Sequence, residues 1–330
     1  MMGSKEQLAA PLQQLPPVDF CCVYGSSLLP STQDKKPMVD YILGVSDPEE
    51  WHLKNLQKNK DHYASWTAFL GPRTITQIAE QIGVGVHFNP FVQWKDKVLK
   101  YGVIRMHDLV NDVLKWEKFY VSGRLQKPVC ILVDTMDVAE LNLANLKAAT
   151  SAALLLLPSE FSEEDLYAKI CSLSYMGDLR MLFAEDKNKV KNIVGGRFDS
   201  FRSLYMPTLK EYAVDGLLTL PSSNDSGGTI MQDHGLSATR SLVFSLPQSL
   251  RRHMGAKLGE KHRLSPTGRV IHEVIVPSRA EASKCMQKIL RRQVMVSSAR
   301  QAVAGVLSAG GMNAARYLAN KMSKAWKSRV

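Results

Sequence analysis

The sequence is poor in sulfur chemistry. Its five cysteines, Cys21, Cys22, Cys130, Cys171 and Cys285, are odd in number and show no CxxC spacing. Most lie in apolar segments, so they read as reduced core thiols rather than a disulfide framework. No Cys/His group has ligand spacing, and a zinc site is not expected. Long apolar runs are also missing. The strongest, Ala152–Leu157 with its Ala148-Ala149 lead-in, is too short to span a bilayer. Residues Ala302–Ala319 are small and weakly apolar, and Gly310-Gly311, Asn313 and Arg316 interrupt them. Met1 to Pro17 has neither an apolar signal core nor an Arg-rich amphipathic presequence. Any organelle address is therefore expected to be atypical, internal or outside this chain. No internal repeat is present.

What is present suits a folded chain of two domains, or one large domain with extensions. The 330 residues are 45% hydrophobic, which argues against disorder. Charge is unevenly spread. From Arg240 to Val330 there are 18 Lys/Arg against 3 Asp/Glu, a net of +15, whereas the whole chain carries +11. The first 239 residues are thus slightly acidic, and the basic character belongs to the C-terminal third.

The pattern along the chain predicts an α/β or α+β core followed by helices. Residues 1–17 read as a flexible lead ending in Pro16-Pro17. Strands are expected at Val18–Tyr24, Met38–Val45, Val84–Phe88, Val98–Ile104 and Val129–Val133. Asp47 is a suitable N-cap for a helix opening at Pro48, and further helices are expected at Thr74–Ile82 and Asp108–Trp116. These make a first domain over 18–140. Over 141–220 helices dominate: Leu143–Leu157 is apolar enough to be buried, and Ser162 caps the next helix. Residues 221–234, rich in Ser, Asn and Gly, read as a linker, and 235–330 as a basic C-terminal region.

One stretch joins several chemical hints. The strand Val18–Tyr24 runs into Gly25-Ser26-Ser27, and the next strand carries Asp40 among apolar residues. Gly25 has no Cβ to bar a phosphate from the backbone. Ser26 and Ser27 offer hydroxyl and N–H donors. Asp40 needs a partner on an apolar strand, and a divalent cation is one. A strand-to-strand turn with a satisfied core aspartate would use the same residues. Read functionally, this is a site for nucleotidyl transfer, with a metal at Asp40. Such sites often carry a second acid two positions on, but Ile42 stands there. Asp47 and Asp134, at strand ends, are the remaining candidates for a second ligand.

Other motifs have two readings each. On the helix after Asp47, His52, Lys54 and Asn55 give either a solvated face with a packed histidine, or donors for phosphates or a base. Gly123–Pro128 (GRLQKP) is a surface turn or a phosphate grip in which Lys127 is a point charge and Arg124 binds bidentately. Lys100-Tyr101-Gly102 puts a glycine inside a strand, which marks a close ligand or close packing. Over Met312–Val330, Met312, Ala315, Leu318, Ala319, Met322, Ala325 and Trp326 share a helix face opposite Arg316, Asn320, Lys321, Lys324 and Lys327. That basic amphipathic helix packs on the protein body or lies on an anionic membrane. Nucleic acid is less favoured, because base-stacking aromatics are lacking.

Together these motifs are specific. Val23-Tyr24-Gly25-Ser26, Asp40, Asp47-Pro48 with Trp51-His52-x-x-Asn55-Leu56, His62-Tyr63, Lys100-Tyr101-Gly102-Val103, Gly123–Val129, Ser162–Leu166 and Leu173–Met181 resemble the mitochondrial phosphatidate cytidylyltransferase family in order and spacing, from about Val18 to Ala304. The resemblance implies a nucleotidyltransferase-like mixed sheet followed by a winged-helix-like helical domain. It implies transfer of CMP from CTP to phosphatidate, with Mg²⁺ at Asp40, giving CDP-diacylglycerol and pyrophosphate on the way to cardiolipin and phosphatidylglycerol. It also implies peripheral attachment to the matrix face of the mitochondrial inner membrane. The expected roles are catalysis for Asp40 and Lys127, and CTP binding for Gly25, Ser26, Ser27, His52, Lys54, Asn55, Tyr101 and Arg124. The expected partners are CTP, phosphatidate and an anionic membrane surface, with no nucleic acid. Two other classes share features: a nucleotidyltransferase acting on RNA or protein, and a non-catalytic membrane-associated assembly factor.

Overall fold

A computed structural model describes residues 5–25, 28, 38–178, 189–221, 228–264 and 270–309. The chain opens with α1 (Lys5–Ala9) and a 3-10 turn (Ala10–Gln14), then β1 (Phe20–Tyr24), β2 (Val39–Val45) and α2 (Pro48–Lys58). A 3-10 turn at Lys60–His62 leads to α3 (Ser65–Gln77), β3 (Val86–Trp94), β4 (Lys97–Arg105), α4 (Met106–Lys115), α5 (Ser122–Leu125) and β5 (Cys130–Asp134). Next come α6 (Val138–Leu156), β6 (Glu160–Phe161), α7 (Glu163–Leu173), α8 (Lys189–Gly195), α9 (Phe198–Val214), β7 (Leu218–Thr219) and β8 (Ile230–Gln232). The described chain closes with α10 (Leu236–Phe244), α11 (Gln248–Leu258), β9 (Glu260–Leu264), β10 (Val270–Val274) and α12 (Arg279–Ala309). This is the expected α+β class.

The main sheet has the order β3-β4-β2-β1-β5, with β2 and β4 parallel and the other neighbours antiparallel. Strand alternation gives it two apolar faces. Cys21, Val23, Tyr41, Leu43, Tyr101 and Val103 join Trp51 of α2 on one face. Phe20, Cys22, Ile42, Val86 and Ile104 meet Met106, Leu109 and Val113 of α4 on the other. Each fully buried Phe or Ile contributes about 1.5–3 kcal/mol by leaving water. The expected strands are therefore all present. Asp47 caps α2, its Oδ1 accepting from the amides of Glu49 at 2.9 Å and Glu50 at 3.2 Å. Ser162 and Asp165 form a reciprocal capping box on α7. All five cysteines are free, and burial raises the Cys22 thiol to about 12, so it stays protonated and inert.

Several boundaries differ from the sequence reading. The lead expected to be flexible is folded from Lys5. Leu8 is buried, Tyr41 Oη donates to Leu8 O at 3.0 Å, and Trp51 Nε1 donates to Pro17 O at 3.0 Å. The helix expected at Thr74–Ile82 begins at Ser65, breaks at Gly71 and ends in a π turn over Ile78–Ile82. The expected linker contains strand β8, because Gln232 turns inward and donates to Leu154 O, Leu157 O and Pro158 O. Residues 222–227 of that linker lie outside the described residues.

The C-terminal third is not a separate appendage. Leu242, Leu250, Met254, Met286 and Leu290 share one core with Leu154, Tyr167 and Phe201. Helix α12 then crosses to the first half. Ser297 Oγ donates to Lys118 O at 2.6 Å, and Arg300 donates to Gln81 O at 2.7 Å and Ile82 O at 2.9 Å. The amphipathic segment expected over 312–330 lies outside the described residues.

Candidate active site

The site forms where β1 ends and β2 begins. Tyr24 pairs with Asp40 across the antiparallel ladder, and Asp40 pairs with Lys100 across the parallel one. The chain leaves β1 at Gly25 with φ +88°, a conformation that costs glycine little. A Cβ at Gly25 would stand 3.3 Å from Asp40 Oδ2. The turn thus passes directly over the carboxylate. Lys100 Nζ lies 3.5 Å from Asp40 Oδ1, and both side chains are only about one-fifth exposed. The same ammonium sits 4.5 Å above the Phe88 ring. Gly102 leaves room for that ring: a Cβ there would lie 2.5 Å from Phe88 Cε1. The in-strand glycine therefore serves packing.

Arg124 approaches from α5. Its guanidinium stacks 3.8 Å over the Tyr120 ring and 5.4 Å from the Tyr24 ring, and Nη1 donates to Tyr120 O at 2.5 Å. Burial raises the Tyr24 hydroxyl pKa, with the Asp40 charge adding to the rise and Lys100 and Arg124 opposing it. The phenol therefore stays protonated beside Asp40, Lys100 and Arg124. Lys127, three residues beyond Arg124, donates to Gly123 O at 2.6 Å and Ser174 Oγ at 2.7 Å. Gly123 permits this junction, since a Cβ there would fall 2.6 Å from Ser174 Cβ. Lys127 and Lys189 each lie 4.9 Å from the Tyr175 ring. The GRLQKP and LSYMGD segments thus meet where the two halves of the chain touch.

A buried carboxylate holds this arm in place. Asp112 of α4 accepts from the amides of Lys118, Phe119, Tyr120, Val121 and Ser122 at 2.7–3.0 Å. It fixes the loop that carries Tyr120 and leads into Arg124. Sequence reasoning missed Asp112, although an acid among Leu109 and Val113 on the apolar face of a helix was a visible signal. It also passed over Lys100 in favour of Tyr101.

The structure does not bring His52, Lys54, Asn55 or Tyr101 to Asp40. Tyr101 follows Lys100 on β4, so it points to the opposite face of the sheet. There Asn55 Nδ2 donates to Tyr63 Oη at 2.8 Å and Tyr101 Oη at 2.9 Å. His52 Nδ1 meets Tyr63 Oη, and His62 Nδ1 meets Tyr101 Oη, both at 2.8 Å. Asn55 is 0% exposed. Burial, then His87, lowers the His52 pKa well below the usual imidazole value, so it is neutral. Lys54 is on the surface, 2.7 Å from Glu50. Asp47 and Asp134, the candidates for a second metal ligand, are also elsewhere. Asp47 caps α2, and Asp134 Oδ1 accepts from Val138 N at 2.8 Å to cap α6. Asp134 pairs with Phe20, at the far end of β1 from Tyr24 and Asp40. Ser26 and Ser27 lie outside the described residues.

The donor set at Asp40 suits Mg²⁺. A magnesium ion is commonly held by one or two carboxylates plus substrate phosphates and water. Asp40 supplies one carboxylate at the mouth of a glycine turn, and Lys100 and Arg124 supply charge for a polyanion. A second potential metal-binding group, which sequence spacing did not reveal, consists of Glu260, His262 and His272, with ligand atoms within 4.8 Å of one another. It lies on the β9–β10 hairpin, outside the main sheet. A cavity of about 470 Å³, lined by Glu80, Arg105, Asp108 and Lys118, opens at the opposite end of β4 from Lys100.

Comparison with known proteins gives the family of the chain. Residues 8–324 match the family described as mitochondrial phosphatidate cytidylyltransferase. The chain belongs to that family. A protein of this name from Danio rerio is 35% identical over 322 residues, covering 94% of this chain and 92% of its relative. One from Rattus norvegicus is 36% identical over 315 residues, covering 92% and 89%. One from Schizosaccharomyces pombe is 33% identical over 318 residues, covering 93% and 80%. The family match thus spans both the sheet that carries Asp40 and the turn after α7 that carries Ser174 and Tyr175.

Proposed function

We propose that this protein transfers CMP from CTP to phosphatidate, giving CDP-diacylglycerol and pyrophosphate for cardiolipin and phosphatidylglycerol synthesis. The observation that carries this reading is the closure of Gly25 over Asp40 beside Lys100, in a chain matched to the family almost end to end. The triphosphate lies along the Gly25 turn, with Ser26 and Ser27 as further donors. Lys100 and Arg124 face the phosphate charge, and Lys127 extends that field towards the helical half. Asp40 would hold Mg²⁺, which when bound neutralises the triphosphate and assists pyrophosphate departure. The phosphate of phosphatidate attacks the α-phosphorus in line. A phosphate monoester, with a second pKa near 6, is already largely ionised at neutral pH, so no strong base is needed. That agrees with the histidines His52 and His87 being buried behind the sheet and depressed in pKa.

This reading takes the main sheet as nucleotidyltransferase-like and the helical half as winged-helix-like. The β1–Gly25–β2–Asp40 order supports the first, and the small β6-β8-β7 sheet among helices is compatible with the second. Among the described residues no helix is long and apolar enough to cross a membrane. Peripheral attachment to the matrix side of the mitochondrial inner membrane, aided by the basic segment 312–330, fits a lipid substrate. The deciding experiment offers the purified protein CTP and Mg²⁺ with phosphatidate or with RNA ends. CDP-diacylglycerol formation is the expected result. Nucleotide transfer to RNA alone, or no transfer to either, would overturn the proposal.

A further inference from the structure

The start of α3 presents an unusual surface. Trp66, Phe69 and Leu70 are exposed, and Phe69 is 87% open to solvent, whereas Thr67 among them is fully buried. Leu53 of α2, the helix packed against α3, is a fourth exposed apolar side chain. Single exposed apolar residues are ordinary, but a cluster with an aromatic this open marks an interaction surface. The segment ends at Gly71, with φ +85° and ψ 178°, followed by Pro72. A Cβ at Gly71 would meet nothing within 4 Å, so the end of this turn projects into open space.

The surroundings identify the partner. Between Trp51 and Arg73 the chain carries Lys54, Lys58, Lys60 and Arg73, with Asp61 as the sole acid. All four cations are exposed, although Lys54 also pairs with Glu50. Trp, Phe and Leu with Lys and Arg close by in sequence is the composition that settles at an anionic lipid–water boundary. The position fits too. His62, just before α3, bonds the Tyr101 hydroxyl, and Tyr101 adjoins Lys100, the partner of Asp40. The apolar turn therefore starts beside the middle of β4, on the face of the sheet opposite Asp40 and Lys100.

We propose that Trp66, Phe69 and Leu70 insert into the headgroup region of an anionic bilayer, with Lys58, Lys60 and Arg73 meeting lipid phosphates. This contact would be independent of the segment 312–330 and would hold the main sheet close to the lipid surface from which phosphatidate is drawn. It rests on the proposed activity only for that consequence. Binding to vesicles tests the contact itself.

The test uses the full chain carrying Trp66→Ser, Phe69→Ser and Leu70→Ser together. Binding is measured by sedimentation with phosphatidylcholine vesicles containing phosphatidylglycerol. The triple variant is expected to bind roughly tenfold more weakly or worse, as loss of three interfacial apolar side chains implies. Phe69→Trp alone is expected to bind as the wild type does. Turnover of phosphatidate should fall when it is presented in vesicles and persist when it is presented in detergent micelles. Wild-type vesicle binding by the triple variant would overturn the proposal. A change in oligomeric mass by light scattering, with vesicle binding unaltered, would make the patch a self-association surface and also overturn it. Absence of product from the wild-type protein in both presentations would count against the activity, while sedimentation would still decide the contact.

Discussion

The two faces of the main sheet treat polar residues in opposite ways. On one, Asp40, Lys100 and Arg124 carry charge, partly open, around a glycine turn. On the other, His52, Asn55, Tyr63 and Tyr101 form a buried neutral network bonded largely to itself. Adjacent residues of one strand, Lys100 and Tyr101, belong to the two different worlds. A buried network without net charge adds rigidity and specifies how α2 sits on the sheet. A half-open charged cluster is poised for a ligand that brings its own charge. Polarity alone therefore does not mark a site; the presence of charge and access does.

That contrast can be broken most sharply at Asp40. Asp40→Ala should reduce CTP-dependent turnover by about a thousandfold or more, because the carboxylate proposed to hold Mg²⁺ is lost. Its unfolding midpoint should stay near that of the wild type, as measured by urea titration. Lys100→Met should come next, with turnover lowered about a hundredfold through loss of one phosphate-facing charge. If instead it only destabilised the fold, Lys100 would belong with the structural face.

On the opposite face the effect should move from rate to stability. Asn55→Leu leaves the Tyr63 and Tyr101 hydroxyls without their shared donor and should cost about 2–3 kcal/mol in urea unfolding. Turnover per folded molecule should be nearly unchanged. A large loss of turnover at full stability would place Asn55 at the nucleotide after all.

The smallest expected effect is a pH dependence. Burial lowers His87 from the ordinary 6.5 to about 4, and lowers His52 as well. The unfolded chain then binds protons that the folded chain refuses. Their contribution to stability is present above about pH 6.5 and is lost as pH falls from there towards about 4. Urea midpoints should decline across that window, and the decline should be shallower in His87→Gln. A midpoint independent of pH there would mean that the imidazoles are not kept neutral.

Much of the architecture was legible because its signals are local. The Asp47 cap, the Ser162 cap and the strands flanking Gly25 each need only a few neighbouring residues. The pairing of Asp40 with Lys100 was not legible, because it depends on the register of parallel strands separated by α2, α3 and β3. His52 and Asn55 were expected at the nucleotide because donors on a helix look alike whether they face water or tyrosines. The folded lead escaped notice since its anchors, Leu8 and Pro17, bind residues of β2 and α2 far along the chain. The place of Asp112 on an apolar helix face was legible, but its role was not, because its partners are backbone amides that no side-chain pattern names.

The central claim, that Asp40 and its charged neighbours form the nucleotide face, is tested most directly by calorimetric titration of CTP with and without Mg²⁺. Wild-type protein and Asn55→Leu should both bind CTP more tightly when Mg²⁺ is present. In Asp40→Asn that Mg²⁺ effect should vanish while the cations retain weak CTP binding. An unchanged Mg²⁺ effect in Asp40→Asn, or its loss in Asn55→Leu, would contradict the assignment of the two faces.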